Sequence, residues 1–219
     1  MKTYFPLIIF LFFLILSCSK KEVQLPKIEF EGIHEIQNHS SIWIFFDTED
    51  QDTLAVLNKN NKLLNTHWIF NIDKRLVMKK IIPFLEEMQE DRNKDSMHKK
   101  EGMFNYFSYA DMADNKVALL NFPKTNFVFT DHEFTTVLEQ YTKDQVIQID
   151  LDHGDLYLNQ TKTNVDQVAK ELKQKIDSLS GPKVYFKYSE NTNYQDYLNI
   201  KAAVLESGSN LEATEYMYN

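Results

Sequence analysis

Strand and helix patterns alternate through the last third of the chain, and this order constrains the fold more than any other feature. Val146–Leu151 alternates apolar and polar side chains, which is the period of a strand with one buried face. His153-Gly154 fits a tight turn before a second strand at Leu156–Leu158. The two strands should therefore form a hairpin.

Two helices and two strands are predicted after this hairpin. Thr163 or Asn164 can cap the first helix, whose apolar residues recur at helix spacing until Gly181-Pro182 ends it. The remaining elements are a strand at Val184–Tyr188, a helix opening at Asn193 and running through Glu206, and a strand at Leu211–Tyr218. The order β-β-α-β-α-β predicts an α+β domain.

The first half predicts a second mixed α/β region, residues 41–130. Aromatic and β-branched runs flank an acidic stretch at 47–52, which indicates a hairpin with a solvated turn. A further strand is followed by a helical pattern that contains Pro83. The predicted elements are strands at 41–46, 53–57, 67–72, 104–109, 117–122 and 127–129, a helix within 74–89, and a short helix that begins at about 131 behind Thr130.

Composition excludes several classes of function. The chain has five glycines, none spaced to form a phosphate-binding loop, so a nucleotide-binding fold is not expected. The net charge of −8 offers no basic field for nucleic acid. The six histidines never pair at the i, i+4 spacing of a helical zinc site. The acidic run 150–155 lacks the register of a calcium loop, and Asp150 and Asp152 fit the wet face of a strand. We therefore expect no metal, no cofactor, no nucleic-acid partner and no enzymatic activity.

The first residues have the pattern of a secretory leader, in which Lys2 precedes an apolar run from Tyr4 to Leu16. Ile15-Leu16-Ser17-Cys18 resembles a bacterial lipobox, and Cys18 is the only cysteine of the chain. This predicts a signal peptide at 1–17 and a lipidated Cys18, carrying palmitate, followed by a tether at 18–40. An ordinary signal peptide and an uncleaved anchor are the alternatives.

Residues 146–218 resemble the periplasmic domain of the ExbD/TolR family of biopolymer transport proteins. The matching residues are the hairpin His153–Asn159, the run Pro182–Tyr188, Tyr194 at the start of the second helix, and Gly208 at its end. Two features depart from the family. Tyr188-Ser189-Glu190 stands where the family strand ends in Ala-Asp-Lys, and the apolar segment lacks the family's membrane aspartate.

The resemblance implies a partner-binding domain at 131–219 in the bacterial cell envelope, anchored to a membrane by lipid and facing the periplasm or the cell surface. The last strand and the second helix are the expected contact elements, which gives the candidate partner-binding residues Tyr194, Leu211, Ala213 and Met217. Candidate protein partners are a second copy of the chain and a membrane protein of a transport complex.

Two further hypotheses remain open. His67–Met88 aligns without a gap against Lys183–Val204, which makes the first half a candidate degenerate repeat, with chance similarity as the alternative. The alternative function is a ligand-binding lipoprotein, whose concave site would be lined by Trp43 and Trp68.

Overall fold

Two six-stranded sheets and four helices form the part of the chain that the computed structural model describes, residues 21–50, 52–94, 101–130 and 133–219. The predicted α+β class is confirmed. Cys18 and the leader lie outside these residues. Within them, no helix is both long enough and apolar enough to cross a membrane.

The N-terminal sheet has the strand order β3-β2-β4-β5-β6, with the short β1 beside the end of β5. The strands β2, β4 and β5 are parallel, and β3 and β6 flank them in antiparallel pairings. The bounds are β1 Lys27–Ile28, β2 His39–Glu49, β3 Asp52–Asn58, β4 His67–Ile72, α1 Met78–Asn93, β5 Asn105–Asp111 and β6 Lys116–Phe122.

The C-terminal sheet has the order β10-β9-β8-β11-β12-β7, in which β8, β11, β12 and β7 are parallel. The bounds are β7 Asn126–Phe129, α2 Glu133–Leu138, β8 Val146–Asp152, β9 Asp155–Leu158, β10 Thr161–Thr163, α3 Val165–Ser178, β11 Lys183–Ser189, α4 Tyr194–Glu206 and β12 Leu211–Tyr218. The predicted order of elements is confirmed, with β10 added.

Local chemistry explains where these elements start and turn. The side chain of Asn164 accepts a hydrogen bond from the Gln167 amide at 3.1 Å, and that of Asn193 accepts one from the Asp196 amide at 2.9 Å. Both are N-caps, which satisfy amides that a helix leaves free at its first turn. His153 and Gly154 have φ of 49° and 90°, the left-handed pair that a two-residue hairpin needs.

One hydrophobic core joins the two sheets through the helices between them. Tyr197 of α4 stacks on Phe186 of the C-terminal sheet at 5.9 Å and meets Phe107 of the N-terminal sheet edge-on at 6.4 Å. The outer face of the C-terminal sheet is covered by α2, whose Phe134 packs against Tyr216 at 4.8 Å between ring centroids.

Two short strands, β1 and β7, lie within the regions predicted as a tether and as the N-terminal mixed α/β region. The segment predicted as a tether, 18–40, includes β1, and the amide of Gln24 donates to Asp73 Oδ2 at 3.0 Å, so residues 24–28 pack on the N-terminal sheet. β7 belongs to the C-terminal sheet, although it precedes residue 131. The two-residue β1 is too short to give a periodic signal, and the pattern that predicted β7 at 127–129 does not tell which sheet it joins.

Candidate functional site

A cleft of about 270 Å³ opens between the end of α4, the start of β12 and the linker that follows β6. Its walls are mainly apolar. They include Val204 and Leu205 from α4, Leu211 and Ala213 from β12, and Pro123 from the linker. Lys201 also contributes to the wall, one turn of helix before Leu205.

The β12 strand lacks a neighbour on one side along this cleft. Its ladder with β7 covers Thr214–Met217 and leaves Leu211–Ala213 outside. On the other side, the pairing with β11 passes from Leu211 to Glu215 across a bulge. Bulges are typical where a strand must present its backbone or redirect a side chain. The cleft therefore combines apolar walls with a short open strand edge.

A buried polar cluster lies behind the cleft, formed by Tyr188, Tyr197, Lys201 and Glu215. Glu215 is fully buried and Lys201 is 7% exposed. The Lys201 ammonium donates to Glu215 Oε1 at 2.5 Å, the Tyr188 hydroxyl donates to Oε2 at 3.1 Å, and the Tyr197 hydroxyl approaches Oε1 at 3.4 Å. The carboxylate thus has three donors, which a charge removed from water requires.

The environment fixes the protonation of the two tyrosines. Burial, and then the negative charge of Glu215, raise the pKa of Tyr188 and of Tyr197 well above the ordinary value. Both hydroxyls therefore keep their protons at neutral pH and act as donors.

This cluster joins the two elements that form the cleft, because Lys201 lies on α4 and Glu215 on β12. A buried ion pair is not needed for stability, since apolar residues of similar volume usually serve equally well. Its geometry suits a positioning role in which it fixes α4 against the open start of β12.

The four candidate partner-binding residues fall into two environments. Leu211 is half-buried and Ala213 is exposed, and both line the cleft. Tyr194 and Met217 are fully buried in the core, where Tyr194 meets Phe107 edge-on at 5.7 Å. The polar cluster itself was missed, although its signal is present: Lys201 and Glu215 stand at core-facing positions of an otherwise apolar helix face and strand.

Trp43 and Trp68, the residues suggested for a ligand pocket, are not side by side on an open surface. Trp68 is fully buried, with the Arg92 guanidinium 3.6 Å from its ring centroid. Burial lowers the pKa of Arg92 to about 10. Trp43 is half-buried and stacks on Phe45. Trp68 therefore serves the core.

His34, Asp111 and Asp114 bring three metal-type ligand atoms within 4.8 Å of one another, the one such group among the described residues. Asp111 Oδ1 already accepts the amides of Ala113 at 2.9 Å and Asp114 at 3.4 Å. The buried Asp111 thus has a structural role in the turn between β5 and β6.

Comparison with known proteins supports one assignment. Residues 121–213 match the model of the family described as Biopolymer transport protein ExbD/TolR. Neither curated proteins nor solved structures gave a significant match. The matched range contains the cleft linker, α4 and most of the C-terminal sheet, including Lys201. The C-terminal part of this chain therefore carries an ExbD/TolR family domain.

Proposed function

We propose that the protein is a non-enzymatic lipoprotein of the bacterial cell envelope whose ExbD/TolR domain binds a membrane protein of a biopolymer-transport complex. The observation that carries this proposal is the ExbD/TolR match over 121–213. Lipid attachment at Cys18 rests on the leader sequence, and it would hold the domain at a membrane surface.

The cleft is the proposed contact site on this domain. An extended segment of the partner can pair with the open edge at Leu211–Ala213 and place apolar side chains against Val204 and Leu205. Addition of a strand to an open edge gives affinity through main-chain hydrogen bonds, while flanking pockets give specificity. Ala213 is exposed at this edge, so it is a suitable place for a probe.

The proposal is tested by photo-crosslinking in cells that normally make the protein. A photoreactive phenylalanine derivative replaces Ala213, and a matched variant carries the same group at Lys170, an exposed position of α3 outside the cleft. We expect the Ala213 probe to capture a membrane protein of a transport complex, identified by mass spectrometry, and the Lys170 probe to capture at least tenfold less. Equal capture at both positions, or none at Ala213, would contradict the cleft as the contact site.

The lipid anchor is tested separately with Cys18→Ser. The intact protein should fractionate with membranes, and the mass of its mature chain should show cleavage before Cys18 with added acyl groups. The variant should lose both properties. A Cys18→Ser protein that stays in the membrane fraction would favour the uncleaved anchor instead.

A further inference from the structure

We infer that the chain is a fused pseudo-dimer, in which two related strand–helix units pair around a pseudo-two-fold axis between Val77 and Asn193. The N-terminal unit is β4-α1-β5 and the C-terminal unit is β11-α4-β12. In this arrangement the N-terminal unit takes the place that a second copy of the C-terminal unit would otherwise occupy.

The two sheets place these units in the same topology. The order β3-β2-β4-β5 of one sheet corresponds to β9-β8-β11-β12 of the other. In both, the first strand of an antiparallel hairpin is also the first of three adjacent parallel strands, and a helix connects the last two of these. The difference is that α3 connects the hairpin to β11, whereas a loop at 59–66 connects it to β4.

The turns between strand and helix are also equivalent. Asp73 stands directly after β4, and its counterpart Ser189 is the last residue of β11. Each side chain accepts a hydrogen bond from the backbone amide two residues later, that of Arg75 at 3.0 Å and that of Asn191 at 3.3 Å. Each backbone carbonyl also accepts the amide three residues ahead, at 3.1 Å and 2.9 Å. Two turns built from the same pair of bonds support a common origin of the units.

The units meet at these turns through a reciprocal pair of hydrogen bonds. The Met78 amide donates to the Thr192 carbonyl, and the Tyr194 amide donates to the Leu76 carbonyl, both at 2.8 Å. Val77 and Asn193 face each other between them in an antiparallel bridge. Met78 and Tyr194 are each the first residue of a helix, so both units contribute the same groups to the contact. A two-fold rotation that places each unit on the other therefore reproduces the contact.

This pairing satisfies groups that neither unit satisfies alone. The first amides of a helix have no partner within the helix. Here the first amide of α1 is satisfied by the C-terminal unit and the first amide of α4 by the N-terminal unit. The surface through which such units pair is therefore occupied within one chain, and a second copy has no access to it. The cleft beside α4 and the polar cluster behind it belong to the C-terminal unit of this pair.

Cysteine crosslinking of the full chain tests the axis. In a Cys18→Ser background, the only thiols are the engineered ones. The hydrogen bonds of this bridge are made by the residues directly before and after Val77 and Asn193, and not by these two residues themselves. Val77 and Asn193 therefore form a non-hydrogen-bonded pair with Cα atoms about 4.5 Å apart, which is within disulfide range. We expect Val77→Cys/Asn193→Cys to give a disulfide within one chain under mild oxidation, with no dimer in sedimentation.

Asn193→Cys alone is the matched control. If the C-terminal units of two copies paired around a true two-fold axis, the two engineered cysteines would meet on that axis and give a disulfide-linked dimer. We expect a monomer. A dimer from the single variant, or only interchain disulfides from the double variant, would overturn the inference.

Hydrogen exchange on the unsubstituted chain gives a second readout. The amides of Met78 and Tyr194 should exchange at least a hundredfold more slowly than an exposed amide, and to a similar extent. Rapid exchange at either position would overturn the reciprocal pairing, even if the cysteine variants failed to fold. Neither the cysteine crosslinking nor the hydrogen exchange involves a binding partner. A result that overturns the pseudo-dimer therefore leaves the proposed function untouched, and the reverse also holds.

Discussion

At equivalent positions the two units bury opposite chemistry. The strand registers pair Phe70 with Phe107 in one unit and Phe186 with Glu215 in the other, which makes Phe107 the counterpart of Glu215. The gapless alignment of His67–Met88 with Lys183–Val204 supplies the other three counterparts. The N-terminal unit thus has the apolar set Ile72, Ile81, Leu85 and Phe107, and the C-terminal unit has the polar set Tyr188, Tyr197, Lys201 and Glu215, in the same order.

The difference shows that this fold does not require an ion pair in its core. The N-terminal unit packs the same positions with side chains that need no hydrogen bonds. Three of the four cluster residues, Tyr188, Tyr197 and Lys201, lie within the range 121–213 that the ExbD/TolR model matches, and Lys201 lines the cleft. We therefore attribute the cluster to the function of that unit.

The ends of the two helices differ in the opposite sense, because the polar side chain, Gln89, lies on α1 and the apolar one, Leu205, on α4. A second cleft lies beside α1, and Asn121 of β6 and the linker residues Pro123 and Lys124 line both clefts. On the α1 side, Gln89 closes onto the linker, accepting the Thr125 amide at 2.7 Å and donating to its carbonyl at 3.0 Å. Leu205 of α4 makes no such bridge, and the cleft beside it keeps an apolar wall.

The largest expected effect follows removal of one charge of the pair. Glu215→Ala leaves the Lys201 ammonium buried without its carboxylate, which should lower the free energy of unfolding by about 3–5 kcal/mol. Chemical denaturation measures this loss. Adding Lys201→Met to the same chain should recover a large part of it, and a loss below about 1 kcal/mol in the single variant would contradict a buried ion pair.

An intermediate effect is expected at Asp73 of the N-terminal unit. Burial alone would raise the pKa of this carboxyl, but hydrogen bonds from the Arg75 side chain and from the amides of Gln24 and Arg75 lower it overall. The stability that Asp73 contributes is therefore present at pH values above the ordinary carboxyl pKa near 4. This stability is lost as pH falls through the lower pKa that Asp73 has in the folded chain.

Asp73→Asn should lower the free energy of unfolding by about 2 kcal/mol at neutral pH, since hydrogen bonds to a charged group are lost. The loss should shrink as pH falls below about 4, where the unfolded carboxyl of the natural chain takes up its proton. Ser189→Ala, at the counterpart position, should cost about 1 kcal/mol with no such pH dependence. Denaturation at several pH values checks both, and equal pH profiles for the two variants would contradict the assignment.

The smallest effect is expected from the cluster hydroxyls. Tyr188→Phe should cost about 1 kcal/mol at neutral pH, because one hydrogen bond to Glu215 is lost. The pKa of Tyr188 is raised in the folded chain, so the protonated hydroxyl contributes stability at pH values below the ordinary tyrosine pKa near 10. This stability is lost as pH rises toward the raised pKa of the folded chain. Above pH 10 the natural chain should therefore lose stability more steeply than Tyr188→Phe. Identical alkaline profiles would count against burial of this hydroxyl.

Sequence patterns anticipated most elements because long runs carry a clear period. The strand His67–Ile72 is confirmed, and of the two cap candidates, Thr163 and Asn164, the structure has Asn164. Two-residue and three-residue strands such as β1 and β10 carry no period, so they depend on tertiary contacts. The cleft could be located only in part. The sequence made Leu211, Ala213 and Met217 equal candidates for partner binding, but only the first two line the cleft and Met217 is buried. The Lys201–Glu215 pair needed the fold, since the partners lie on different elements.

The most direct test of the central claim gives the C-terminal unit the apolar chemistry of its counterpart. Tyr188→Phe/Tyr197→Phe/Lys201→Met/Glu215→Leu removes every polar group of the cluster at similar volume. We expect its free energy of unfolding to stay within about 1 kcal/mol of the natural value or to rise. Crosslinking from Ala213 should fall at least tenfold. A variant that is equally stable and captures the partner as well as the natural chain would contradict a functional role for the cluster.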